Sequence, residues 1–106
     1  MNAQTALEQK FTAALAAACR QAQEQTGCPM TGLLQKIEKY GGVSVAKDYI
    51  RKNRLSDGFT VLEQAGKLAL SMEALVTAPA YGTLFTDDEV NACFQALCDA
   101  NYYRFK

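Results

Sequence analysis

Apolar residues recur every three or four positions along most of this chain, and glycine, proline and short polar clusters interrupt that rhythm at close intervals. A period near 3.6 lays one apolar stripe along a helix, whereas a half-buried strand needs strict alternation, and no convincing alternating run is present. The expected fold is therefore all-α: a compact bundle of five to six short helices with one longer N-terminal helix. At 106 residues the chain makes a single helical domain, residues 1–106. A domain of that size buries roughly 60 to 70 % of the surface its unfolded chain exposes, enough for a core without disulfides.

The punctuation places the elements. Leu7, Phe11, Ala14 or Leu15, Ala18 and Ala22 share one face of the first helix, with Thr5 and Glu8 spaced as a capping box and Gly27 and Pro29 as its stop. Its narrow face of Ala14, Ala18 and Ala22 lets another helix approach closely, within the core or across a homodimer. A second helix runs from about Met30 to Tyr40 with Leu33, Leu34 and Ile37 inward, and Gly41-Gly42 ends it. The third carries Val43, Ala46 and Ile50 and fades near Asn53, before the turn residues Ser56-Asp57-Gly58. A fourth spans Phe59, Leu62 and Ala65. Leu68 and Leu70 are read as a connector, Ser71 as the cap of a fifth helix through Met72, Leu75 and Val76, and 80–85 as a loop after Pro79. Thr86-x-x-Glu89 is the clearest capping box, opening a last helix with Val90, Phe94 and Leu97 on its buried side. Tyr102, Tyr103 and Phe105 are expected to pack onto the first helix.

Histidine is absent, which excludes Ser-His and Cys-His catalysis and removes the commonest general base and zinc ligand. The chain is accordingly read as non-enzymatic. The four cysteines, Cys19, Cys28, Cys93 and Cys98, contain no C-x-x-C pair, and on one helix Cys93 and Cys98 point about 140° apart. They read as buried free thiols in a reducing, cytoplasmic setting, with no metal and no cofactor expected. Phe11 to Cys19 has the small residues of a lipoprotein-type cleavage site. Glu8 in the would-be leader and the helical pattern that continues past Cys19 argue against processing. No run approaches the ~18 apolar residues of a membrane span. Asp87-Asp88-Glu89 is read as helix capping rather than a metal site.

Eleven basic residues balance eleven acidic ones, so any electrostatic function must be local. The charges are unevenly placed. Lys36, Lys39, Lys47, Arg51, Lys52 and Arg54 face only Glu38 and Asp48 in the same stretch, while seven acidic residues between Asp57 and Asp99 face Lys67 alone. Those six cations are the candidate binding residues. Lys47, Arg51 and Arg54 fall at i, i+4 and i+7 on the third helix, one line along its surface. Beside a helix–Gly-Gly–helix turn, that line permits a nucleic-acid contact with Tyr49 or Asn53 near base edges. It equally permits contact with an acidic protein, or a solvated face on which Asp48 pairs with Lys52.

From Gly41 to Leu97 the chain resembles a short helical module of uncharacterised bacterial, phage and mobile-element proteins, some of them linked to restriction-type enzymes. The resemblance lies in Gly41-Gly42-Val43, Ala46-Lys47, Ser56-Asp57-Gly58-Phe59, Leu62, Gly66 through Ser71, Glu73 through Val76, Leu84-Phe85-Thr86 and Glu89. Lys67 and Ala69 stand where the module commonly has arginine and aspartate. The resemblance implies a setting of conflict between mobile DNA and host. Its sharpest functional implication is an anti-CRISPR-like inhibitor that binds a defence nuclease or its nucleoprotein complex. The alternative is a small DNA- or RNA-binding accessory protein using the Lys36 to Arg54 face.

Overall fold

The computed structural model describes residues 3–56 and 58–100. Those residues form six α-helices and no strand: α1 Ala3–Thr26, α2 Thr31–Tyr40, α3 Gly42–Arg51, α4 Phe59–Ala65, α5 Met72–Val76 and α6 Asp87–Asp99. The expected all-α bundle with one long N-terminal helix is what the chain adopts. Two 3-10 turns, Leu68–Leu70 and Pro79–Leu84, occupy the segments read as a connector and a loop. Their i→i+3 bonds, such as Leu70 N–H to the Lys67 carbonyl at 3.0 Å, satisfy backbone that would otherwise need water.

Packing follows the apolar stripe of α1. Phe11, Leu15, Cys19 and Ala22 are buried at successive steps of four, four and three, while Ala14 and Ala18 lie half-buried at its flank. Phe11 is completely buried and meets Tyr81 and Phe85 edge-on, each at a centroid distance of 5.2 Å. Leu33 and Ile37 of α2, Val43, Val45, Ala46 and Tyr49 of α3, Leu62 of α4, Val76 of α5 and Leu97 of α6 complete the same core.

The turn between α2 and α3 depends on two glycines with different tasks. Gly41 has φ +86°, where a side chain is strained, and its N–H closes α2 on the Ile37 carbonyl at 2.9 Å. Gly42 begins α3 against α1. A Cβ there would stand 2.9 Å from the Thr12 Cα, and the Gly42 N–H donates to Thr12 Oγ1 at 2.9 Å. The small residue thus lets two helices touch, with the α3 backbone bonded to an α1 side chain.

Both N-caps expected in the C-terminal half of the chain form. Ser71 accepts from the Ala74 N–H at 3.1 Å, and Thr86 and Glu89 make the reciprocal capping box at 3.2 and 2.8 Å. Three expectations are corrected. Thr5 and Glu8 lie within α1, which already begins at Ala3, so they do not cap it. Phe94 is 47 % exposed, because α6 turns Cys93 and Leu97 inward, one residue around the helix from the expected stripe. Among the thiols, all free, Cys19 and Cys93 are buried, whereas Cys28 and Cys98 are only half-buried. Asp57, Tyr102, Tyr103 and Phe105 lie outside the described residues. No described helix is long and apolar enough to cross a membrane.

Candidate binding surface

The six candidate cations do not form one line. Lys47 turns toward α6, where its Nζ lies 2.9 Å from Glu89 Oε1 and 5.4 Å from the centre of the Phe85 ring. Arg51 and Lys52 both close on Asp48, Lys52 at 3.1 Å. The pairing of Asp48 with Lys52 expected for a solvated face is therefore present, with Arg51 added to it. Arg54 lies beyond the end of α3, after Asn53 adopts the left-handed conformation at φ +55°. Lys36 donates to the Tyr49 hydroxyl at 3.3 Å and sits 5.2 Å from that ring, and Lys39 lies 5.3 Å from the Tyr40 ring.

Tyr49 itself corrects the reading that placed it near base edges. It is 5 % exposed and part of the core, its hydroxyl accepting from Lys36. The N-terminal end of α3 is also occupied: Gly42 and Val43 are buried, and Gly42 is bonded to α1. A recognition helix in a groove leads with its N-terminal residues. Here that end is covered by the protein's own first helix.

What the fold brings together instead is a groove between α2 and α3 of about 490 Å³. Lys36, Tyr40, Ser44, Asp48, Tyr49 and Lys52 line it. A broader depression of about 680 Å³ lies between α1 and the α2–α3 turn, bordered by Glu8, Arg20 and Glu38. Tyr40 and Ser44 line both, so Tyr40, 60 % exposed, stands as the ridge between them. Nothing in the sequence marks Tyr40 as a surface residue, since it falls at the end of α2 beside the Gly41-Gly42 stop. Its helical phase, three residues beyond Ile37, is that of the apolar stripe, yet as the last residue of α2 it is exposed.

The electrostatics are local and mixed. The hydrogen bond from Lys52, with help from Arg51, holds the Asp48 carboxyl below its ordinary value. Partial burial pushes the Glu89 carboxyl up, but the Lys47 and Thr86 bonds outweigh it and leave it lowered. The acidic half of the chain thus neutralises part of the basic half through α3 and α6.

A second polar feature is internal. Glu73, on α5, is 2 % exposed, and its oxygens accept from the Ser56 N–H at 2.8 Å and the Ser56 hydroxyl at 2.6 Å. This ties the segment after α3 to α5. Burial raises the Glu73 carboxyl, against the lowering effect of both Ser56 bonds. The Cys93 thiol nearby is pushed up to about 12, chiefly by burial and then by the charges of Glu73 and Glu89. A cavity of about 60 Å³ adjoins this pair, lined by Arg54, Asn53 and Cys93 among others. Ser56 read as a turn residue, and its partner lies 17 positions away, beyond any local signal.

Among the described residues no three His, Cys, Asp or Glu side chains are placed to hold a metal ion. Asp87, Asp88 and Glu89 stand in the first turn of α6, where Glu89 completes the capping box by accepting from the Thr86 N–H. Comparison with protein-family models, with curated proteins and with solved structures found no match for this chain.

Proposed function

We propose that this protein is a non-enzymatic binding module whose α2–α3 face docks onto another protein or a protein–nucleic-acid complex. One observation carries the choice of partner class. Among the described residues Asp48 engages Arg51 and Lys52, and Glu89 engages Lys47, so at least three of the six cations already hold a carboxylate. A surface built for a phosphate backbone gains affinity by releasing counterions from its cations, and cations neutralised internally contribute little to that. A mixed-charge face around an exposed tyrosine is instead the composition of a protein interface, where tyrosine and arginine are enriched at anchoring positions.

The resemblance of Gly41 to Leu97 to mobile-element modules supplies the setting in which such a protein would act. There the sharpest form of the reading is stoichiometric inhibition of a defence nuclease, anti-CRISPR-like, by occupying the enzyme or its nucleoprotein complex. Affinity capture from a bacterial lysate, with and without nuclease treatment, tests it. A protein partner retained after nuclease treatment, and a catalytic chain among the retained proteins, is the expected result. Recovery of nucleic acid alone, with affinity for naked duplex falling steeply as salt rises, refutes it.

A further inference from the structure

Glu73 is buried without a counter-ion. Its oxygens accept from the Ser56 N–H and hydroxyl, and it makes no ion pair among the described residues. Arg54, two residues before Ser56, is exposed and makes no ion pair among them either. The cavity of about 60 Å³ is lined by both. We infer that Arg54 is a pH-governed arm, turned into this cavity as the counter-ion of Glu73 when that carboxyl is ionised and released to solvent when it is protonated.

The backbone sets the reach. α3 ends with Asn53 at φ +55°, and the Arg54 N–H closes on the Tyr49 carbonyl at 3.0 Å. Ser56, at most about 7 Å further along the chain, is tied to Glu73 at 2.8 Å. An arginine side chain spans that gap by rotation alone. A single water requires roughly 10–15 Å³ of such space, so the cavity has room for a planar guanidinium. Its stem can lie on Ile50 and Leu55, which form part of the wall. Asn53, Leu55 and Ala92 at the mouth are exposed, so the charge need not leave water completely. A guanidinium keeps its charge at every relevant pH and can donate two bonds to one carboxylate.

The neighbouring elements offer no equal partner among the described residues. α3 carries Lys47 and Lys52, already held by Glu89 and Asp48. α6 brings the Cys93 thiol, pushed up to about 12 and so neutral, with the charge of Glu89 acting on it. α1 and the 3-10 turns, also packed on α5, add the Cys19 thiol and the Tyr81 phenol to the core, while Lys67 is exposed and lines no part of the cavity. Burial raises the Glu73 carboxyl, so its ionisation comes above the ordinary carboxyl range. Arg54 favours the ionised folded form. Its contribution to stability is therefore absent in acid and appears as pH rises through the folded pKa. Acid adds one outward cation to the link between α3 and α4, and a higher pH withdraws it.

NMR titration of the isotope-labelled full chain from about pH 4 to about pH 9, reading the Glu73 carboxyl carbon and the Arg54 Nε–H, tests this. The two signals are expected to move with one shared midpoint. Arg54→Gln should weaken Glu73 as an acid about tenfold, the low end of what a nearby opposite charge does. Arg54→Lys should recover part of that change. Glu73→Gln should make the Arg54 signal insensitive to pH, whereas Asp57→Asn should leave its movement in place. Far-UV circular dichroism verifies that each variant keeps its helices, and if Glu73→Gln does not fold, the native chain and Arg54→Gln decide the matter. A Glu73 carboxyl that stays protonated throughout overturns the inference, as does an Arg54 signal that ignores pH or follows another midpoint. So does an Arg54→Gln chain in which Glu73 titrates as it does in the native one, or an Arg54 response that disappears with Asp57→Asn.

Discussion

Replacing Ser56 by alanine tests the internal polar contact with almost no change in volume. Glu73 is the one fully buried charged residue among those described, and the substitution deletes its bond to the Ser56 hydroxyl while leaving the backbone N–H in place. A hydrogen bond to a charged group contributes about 1.5–3 kcal/mol, so a loss of about 2 kcal/mol is expected near pH 7. For a domain of this length that lowers the melting midpoint by roughly 9 °C, taking ~2.1 cal/mol/K of unfolding entropy per residue.

The dependence on pH makes the test specific. Burial raises the Glu73 carboxyl above its unfolded value, and loss of a bond that lowers it raises it further. A carboxyl that holds its proton better when folded contributes its full stability below the unfolded pKa, and that contribution is lost as pH rises through the folded pKa. The variant enlarges this loss. Near pH 4 the protonated carboxyl forfeits only a neutral bond, about 1 kcal/mol, so the penalty should be about half that near neutrality. Urea unfolding at the two pH values, read by circular dichroism, measures both numbers. Equal penalties at both, or less than about 0.5 kcal/mol near pH 7, refute an ionised Glu73 held by the Ser56 hydroxyl.

Three further outcomes follow from the same contacts. Gly42→Ala gains about 1 kcal/mol of helix propensity but drives a Cβ to 2.9 Å from the Thr12 backbone. It should lose about 2 kcal/mol net in chemical unfolding, through overpacking between α1 and α3. A stabilised variant would mean that the two helices do not meet there. Thr86→Ala deletes the cap of α6 and should lose about 1 kcal/mol, with faster amide exchange confined to Asp87 through Val90. Thiol labelling of the native chain should modify Cys28 and Cys98 well before Cys19 and Cys93. The Cys93 thiol, pushed up to about 12, should stay unreactive at neutral pH until the protein unfolds, and prompt labelling of it would contradict the placement of α6.

The helices were legible because their information is local. The α1 stripe through Phe11, the stops at Gly27 and Gly41, the Ser71 cap and the Thr86 to Glu89 box each depend on residues within about one turn of one another. Errors arose where a local pattern had two solutions. Thr5 and Glu8 have capping-box spacing but lie within a helix that had already started, and on α6 both Cys93 and Phe94 fit a stripe with Val90 and Leu97. The outcome turned on which residue α3 and α5 left room for. A small thiol fits beside Glu73 and the α3 side chains; a phenyl ring stays half outside.

The charges were not legible, and the reason is physical. Counted along the chain, residues 36–54 are basic and residues 57–99 acidic, which pictures a molecule with two opposite faces. Yet an ion pair is set by which helices touch, and α3 lies against α6, so Lys47 of the basic stretch meets Glu89 of the acidic one at 2.9 Å. That single contact removes the first member of the expected line Lys47, Arg51, Arg54. Asp48, one residue along the same helix, engages the second. Helical spacing carried no information about partners arriving from 42 positions away. Lys36 and Lys39 of α2 and Arg54 beyond the end of α3 are exposed as well, so the outward cations come from two elements and not from one helix line. A surface argument from sequence therefore holds only for charges whose possible partners lie on the same helix, and here that condition was met by Asp48 with Lys52 and not by Lys47.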